Sequence, residues 1–245
     1  MYSKLKQIIV ELGDTIVSEA GTVSDIGTEK QWLTERDLEI ETKLSNFILK
    51  FDPGAQIYAE ELHDNFNEGK SIWIIDPISS TYNFINGLPH FTVVVSHMKD
   101  GEVIFAAVYD PSAKELFSAE KGKGVYLNNK KVGVRDRSDF TILIGGCFER
   151  KLFNENLYEL FKLGTVRVLG SVALHYAYVA CGRTTVAYSN NKDTFPEFAG
   201  KLLVEEGGGV FTDGTGNPLT HECKGIIAAS NKDNHKKILE IVGTA

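Results

Sequence analysis

The sequence predicts an α+β protein: two amphipathic helices, then a block of short strands, then an alternation of helices and strands. Three observations carry this. Apolar residues recur at spacings of three and four within the first fifty residues, the runs shorten and are cut by turn residues from Ile57 to about Asn129, and helix caps alternate with short apolar runs from Asn154 onward.

Leu5, Ile8, Ile9, Leu12 and Ile16 set one face of an opening helix over Tyr2 to Glu19, and Gly21 to Gly27 read as a loop. Thr34 caps a second helix running to Phe51, with Leu38, Leu44 and Ile48 as its apolar stripe, and Asp52-Pro53-Gly54 ends it. Ile57-Tyr58 is a short strand. Ser71 to Ile75 is a buried strand that runs into a loop at Asp76-Pro77. Strands follow at Phe91 to His97, Val103 to Tyr109 and Glu115 to Ser118, with Asp100-Gly101 as a turn and Lys121 to Asn129 as an extension, giving an antiparallel sheet. The second half reads as a helix at Asn154 to Leu163, a strand at Val166 to Leu169, a helix capped by Ser171 through Cys181, and a strand at Thr184 to Tyr188. A helix at Phe195 to Glu206 follows, stopped by Gly207-Gly208-Gly209, then strands near Gly209 to Thr212 and Gly225 to Ala229, and a last helix capped by Asn231. The two parts, 1–138 and 139–245, are expected to pack as one compact unit.

The whole-chain properties narrow the function classes. At 245 residues the chain can bury a large core, and its 42% apolar and 24% charged residues are ordinary for a globular protein. A net charge of −7 with interspersed signs argues against a nucleic-acid surface. No apolar run approaches the roughly 20 residues of a membrane span, and the N-terminus has no signal-peptide pattern. Cys147, Cys181 and Cys223 are odd in number and widely spaced, so they are read as buried apolar residues in a reducing cytoplasm. The six histidines show no paired ligand spacing and are read as surface or hydrogen-bonded polar residues.

The chemistry concentrates around Asp76-Pro77-Ile78-Ser79-Ser80-Thr81. A carboxylate closing a buried apolar run is costly unless its charge is compensated, and a hard divalent cation bound through oxygens does that. The bland reading is an Asp capping a turn before Pro77. Glu60-Glu61 follows the strand at Ile57. A short helix opening at Thr81 would point N–H groups at an anion beside such a cation, although Ser-Ser-Thr is also common turn material. Lys121-Gly122-Lys123-Gly124 lacks the Gly-Lys-Ser/Thr ending of a phosphate loop.

Trp73 to Phe84, including Asp76-Pro77-Ile78-Ser79-Ser80-Thr81, resembles the signature of the inositol monophosphatase family, which belongs to the lithium-sensitive, magnesium-dependent phosphatases together with fructose-1,6-bisphosphatase. Thr34 to Asp37, Glu60-Glu61, Lys121 to Asn129, Leu169 to Ala173 and Val204 to Gly209 resemble that family's other segments, in order along nearly the whole chain. The resemblance implies a layered α-β-α-β-α sandwich that usually dimerises, a small phosphorylated metabolite as substrate, and Mg2+ as cofactor.

Carried over residue by residue, the resemblance assigns Glu60, Asp76 and the Ile78 carbonyl to a first metal. Thr81 and Asp37 become the pair that orients or deprotonates the attacking water, and Ser79, Ser80, Thr81, Gly170 and Ser171 become the phosphate-binding surface. Ser79 and Ser80 stand where the family has Asp-Gly, Pro196 where it has a second metal-binding Asp, and Ser189 where it has an inositol-binding acid. One well-formed Mg2+ site is therefore expected, with the second degraded. Asp193 or Glu197 either replaces the missing ligand or is a solvated acid near a helix start. The expected function is a Mg-dependent phosphatase of weak or altered activity. The alternative is a catalytically inactive member acting as a binding or regulatory homodimer.

Overall fold

The structure is a computed structural model that describes residues 1–28, 32–62, 66, 69–136, 139–145, 150–190, 195–220, 223 and 225–243, leaving aside the side chains of 150–155. Helix α1 spans Tyr2–Ile16 and continues as a 3-10 turn over Val17–Glu19, and α2 spans Glu35–Phe51. Strands β1 (Gln56–Ala59), β2 (Ser71–Ser79), β3 (Thr92–Lys99), β4 (Glu102–Asp110), β5 (Glu115–Glu120), β6 (Gly124–Leu127) and β7 (Lys130–Val132) lie side by side in chain order. A short helix, α3 (Thr81–Ile85), follows β2. The second sheet has the order β11-β12-β10-β8-β9, from β8 (Thr141–Gly145), β9 (Thr165–Arg167), β10 (Val186–Ser189), β11 (Val210–Asp213) and β12 (Ile226–Ala229). Helices α4 (Arg150–Leu163), α5 (Val172–Ala180), α6 (Phe195–Glu206) and α7 (Lys232–Val242) complete it.

Three apolar clusters define five layers. Helices α1 and α2 pack on one face of the first sheet through Leu5, Ile9, Leu44, Trp73 and Ile75. The other face, with Ile72, Ile74 and Val94, shares a core with α5, α6 and residues of the second sheet such as Leu143 and Ala228. The far face of that sheet packs on α4 and α7 through Ile142, Ile144, Leu160 and Ile238. The order is α-β-α-β-α, as the sequence implied. Because β2 is covered on both sides, its residues form a continuous apolar run instead of an alternation. Burying each of Ile72 to Ile75 contributes about 1.5–3 kcal/mol, and a one-residue slip would exchange their two cores, which fixes the register.

Several boundaries differ from the sequence reading. The strand expected to stop at Ile75 runs to Ser79, because a register irregularity between Asp76 and Ser79 takes Pro77 out of regular pairing. The first sheet is mixed, since β1 pairs parallel to β2. Strand β8 was missed: Thr141 to Gly145 is a brief apolar run without alternation, buried between β10 and β9 and parallel to both. The strand expected over Val166 to Leu169 ends at Arg167, where the chain turns to meet α3 and α5.

Among the described histidines, His97 and His235 are buried, hydrogen-bonded polar residues, the second of the two expected readings. His97 is stacked at 4.0 Å on Trp73 and bonded to the Tyr2 hydroxyl (2.9 Å) and the Ser71 hydroxyl (2.8 Å), and burial pushes its pKa down to about 4. His235 meets the Thr212 hydroxyl at 2.7 Å. His175 is fully buried and only half satisfied: Nε2 accepts from the Leu169 N–H at 3.3 Å, while Nδ1 has no partner among the described residues. Burial raises the thiols of Cys181 and Cys223; Cys147, His63 and His221 lie outside the described residues.

Candidate active site

The site is built where α2, β1, β2 and α3 converge. Thr34 caps α2 in a reciprocal box: its hydroxyl accepts from the Arg36 N–H, and the Asp37 carboxylate accepts from the Thr34 N–H at 2.9 Å and hydroxyl at 2.5 Å. This fixes Asp37, which is fully buried, with its other oxygen 3.3 Å from the Thr81 hydroxyl. The Thr81 hydroxyl also reaches the Ile78 carbonyl at 2.8 Å. One hydroxyl proton cannot serve both acceptors fully, and the shorter contact is with the carbonyl. Burial pushes the Asp37 pKa up to about 7, against the opposing Thr34 bonds and with help from the charges of Glu61 and Glu60.

Parallel pairing of β1 with β2 sets Ala59 beside Ile75, and the Glu60 N–H donates to the Ile75 carbonyl at 3.2 Å. Glu60 is thereby carried alongside the end of β2, next to buried Asp76. The turn holding Glu60-Glu61 is pinned by Glu41, fully buried one helical turn beyond Asp37. Its carboxylate accepts from the N–H groups of Glu61 (2.8 Å) and Leu62 (2.9 Å). Glu41 was not singled out from the sequence; its i,i+4 spacing from Asp37 is the signal that could have found it.

Ser79 and Thr81 are buried, and between them Ser80 sits at φ 70, ψ 52, a left-handed conformation that glycine adopts without strain. Asn83, in α3, reaches across with its side-chain amide to the carbonyls of Pro89 (3.0 Å), His90 (3.2 Å) and Leu169 (3.0 Å). Gly170, at φ 91, packs so close to Asn83 that a Cβ there would fall 2.6 Å from its amide nitrogen. Ser171 caps α5 by accepting from the Leu174 N–H, and its hydroxyl lies 3.4 Å from that of Thr92. The two segments expected to hold phosphate, 79–81 and 170–171, are thus joined through Asn83 and Thr92. The exposed ring of Trp32 meets the exposed ring of Tyr82 edge-on at 4.9 Å beside this region.

On the other side, Ser189 is buried at the end of β10, and Pro196 and Glu197 are buried in the first turn of α6. Glu197 is therefore no solvated acid, contrary to one of the two expectations; Asp193 lies outside the described residues. Phe195 stacks on Tyr58 of β1 at 4.7 Å, bringing the start of α6 against the strand that carries Glu60.

Among the described residues, no three His, Cys, Asp or Glu side chains group to hold a metal. The donors of Glu60, Asp76 and the Ile78 carbonyl are all oxygens, two of them from carboxyl groups, and beside burial, the main cause, the acids Glu61 and Glu60 add to the rise of Asp37. This donor chemistry suits a hard cation completed by water. Ser79 and Pro196 supply no carboxylate for a second.

The five-layer order and the acid-rich junction of α2, β1 and β2 are features of a phosphatase fold class. The chain belongs to the inositol monophosphatase family: the family model of that description matches residues 3–245. It is 30% identical over 241 residues to a fructose-1,6-bisphosphatase/inositol-1-monophosphatase of Thermotoga maritima, covering 96% of this chain and 93% of that protein. It is 33% identical over 230 residues to Nus factor SuhB of Pseudomonas aeruginosa, covering 87% of this chain and 83% of that one. The solved Thermotoga maritima IMPase superposes with a TM-score of 0.88 at 28% identity, covering 98% and 95% of the two chains. The suhB extragenic suppressor protein of Bartonella henselae also gives 0.88 at 28% identity, covering 96% and 95%.

Proposed function

We propose that this chain is a magnesium-dependent hydrolase of a small phosphate monoester, with weak or altered turnover. The observation that carries the reading is the buried Asp37–Thr81 pair, 3.3 Å apart and anchored by the Thr34 box. In the proposed mechanism the Thr81 hydroxyl, held by Asp37 and the Ile78 carbonyl, orients a water for in-line attack and relays its proton toward Asp37. Glu60, Asp76 and the Ile78 carbonyl would hold one Mg2+. When bound, that ion lowers the pKa of water and offsets charge on the phosphoryl oxygens. The amides and hydroxyls of Ser79, Ser80, Thr81, Gly170 and Ser171 would bind the phosphate.

Ser79 and Pro196 leave the leaving-group side without its acids. Losing one such stabilising contact costs about 2.7–4 kcal/mol, or about 10²–10³ in rate. Ser189 in place of an acid points away from inositol phosphate as the preferred ester. The same replacements favour a second reading, a non-catalytic homodimer that binds or regulates, and relatives named Nus factor SuhB keep it in view. A cytoplasmic location belongs to the proposal and rests on the unpaired cysteine pattern.

The test is turnover of a panel of phosphate esters in millimolar Mg2+, with Asp76→Ala as control. Hydrolysis above the control, rising at least tenfold in Ser79→Asp with Pro196→Asp, supports the phosphatase. Rates equal to the control in both proteins leave the binding homodimer, which sedimentation would show as a dimer.

A further inference from the structure

Asn83 has no role in the proposed chemistry, yet it makes the contacts that join the two phosphate-binding segments. Its backbone N–H donates to the Ser80 carbonyl at 2.9 Å, so it is fixed to the 79–81 segment. Its side-chain amide reaches the Leu169 carbonyl at 3.0 Å, one residue before Gly170-Ser171. The same residue is held through its other backbone group, because the Leu169 N–H donates to Nε2 of His175. Burial holds His175 neutral, with its pKa down to about 3, and the Leu169 N–H aimed at Nε2 assigns the acceptor role to that nitrogen and the proton to Nδ1. Gly170 at φ 91 lets the backbone approach Asn83 closely, where any Cβ would collide with the amide.

We propose that Asn83 is a positioning residue that, with His175 and Gly170, sets the offset between the 79–81 and 170–171 segments and so the affinity for the phosphoryl group. The inference rests on the phosphate-site reading above and adds the device that holds the two halves of that site in register. An amide suits the task. It offers two N–H donors to several carbonyls, whereas Asp, of the same shape, would set a carboxylate against them.

The experiment compares wild type with Asn83→Asp and Gly170→Ala, using inorganic phosphate with Mg2+ by calorimetry and amide hydrogen exchange at 79–81 and 169–171. Ile238→Val, in the far core, serves as a stability control. Phosphate affinity is expected to fall about tenfold or more in both variants, the scale of one lost hydrogen bond. Mg2+ affinity should hold within about twofold, and exchange should rise in both segments. The control should lose melting temperature without losing phosphate affinity. Phosphate affinity unchanged in Asn83→Asp, or falling in step with Mg2+ affinity and melting temperature as in a general destabilisation, overturns the positioning role. If wild type binds no phosphate while Asn83→Asp still loosens 169–171, the clamp stands and the phosphatase reading falls. Unchanged exchange in Asn83→Asp overturns the clamp itself.

Discussion

Ser80 stands in a left-handed conformation directly between the proposed metal carbonyl of Ile78 and the water-orienting Thr81. For a residue with a Cβ this conformation costs about 1–2 kcal/mol, part of which glycine returns as chain entropy in the unfolded state. Ser80→Gly should therefore raise the melting temperature by about 2–4 °C, the shift expected from about 1 kcal/mol in a chain of this size, while Ser80→Ala should not. A thermal scan checks it, and equal melting points for the two variants would show that the strain is not stored there. At this scale much of the site was legible. Thr34 as a cap, the buried Asp76 and the hydroxyls after it follow from residue type and spacing, although the strand runs past Asp76 to Ser79, and the resemblance named Asp37 and Glu60. The roles of Glu41 and Asn83 were not legible: spacing could point to Glu41 but not to the 61–62 turn it holds, and only the fold brings Leu169 within reach of Asn83.

Helix α2 contributes two carboxylates from one face, and they do different work. Asp37 faces Thr81, and Glu41 holds the turn that presents Glu60. Replacing Glu41 by Gln keeps the shape but sets an NH2 group against one of two N–H donors. It should cost about 1–3 kcal/mol of stability and weaken Mg2+ binding, because the Glu60 turn is freed. Calorimetry with Mg2+ and urea unfolding read the two effects separately; Mg2+ affinity equal to wild type would detach the turn from the metal site. Elements with a cap or a clear stop were read nearly to the residue, as with α2 and α6, and the start of α7 followed from its Asn231 cap. Strand β8 and the parallel pairing of β1 were not, since a five-residue apolar run carries no period and strand direction is decided by connections, which composition does not encode.

Across the whole molecule, two buried titratable groups on the helix-covered side of the first sheet, Asp37 in α2 and His97 in β3, act on stability with opposite sign. Asp37 has a folded pKa of about 7, above its unfolded value. The native state therefore binds the extra proton, and this contribution is complete below about pH 4 and disappears as pH rises toward 7. His97, held down to about 4 in the fold, does the reverse: the unfolded chain takes up protons below about pH 6.5, so stability falls as pH drops toward 4. Without Mg2+, Asp37→Asn should raise stability at pH 8 relative to pH 5, by up to about 2.7 kcal/mol for the roughly two pH units between 5 and the folded value, and His97→Gln should lessen the loss between pH 6.5 and 4. Urea unfolding across pH in chelator tests both, and parallel curves for wild type and Asp37→Asn would show that Asp37 is not the group responsible. The layering itself was foreseen through the family resemblance, because five layers need ordered motifs along nearly the whole chain, and those survive where individual ligands do not.

The chain has two tryptophans, placed as differently as two indoles can be. Trp73 is wholly enclosed and lies flat against the His97 ring, while Trp32 is open to solvent and touches Tyr82, the residue after Thr81. The protein thus carries two built-in optical probes. The blue edge of its emission reports the core between the first sheet and its outer helices, and the red edge reports the mouth of the candidate site. Excitation at a single wavelength can follow ligand arrival and global unfolding as separate colours, with no label attached.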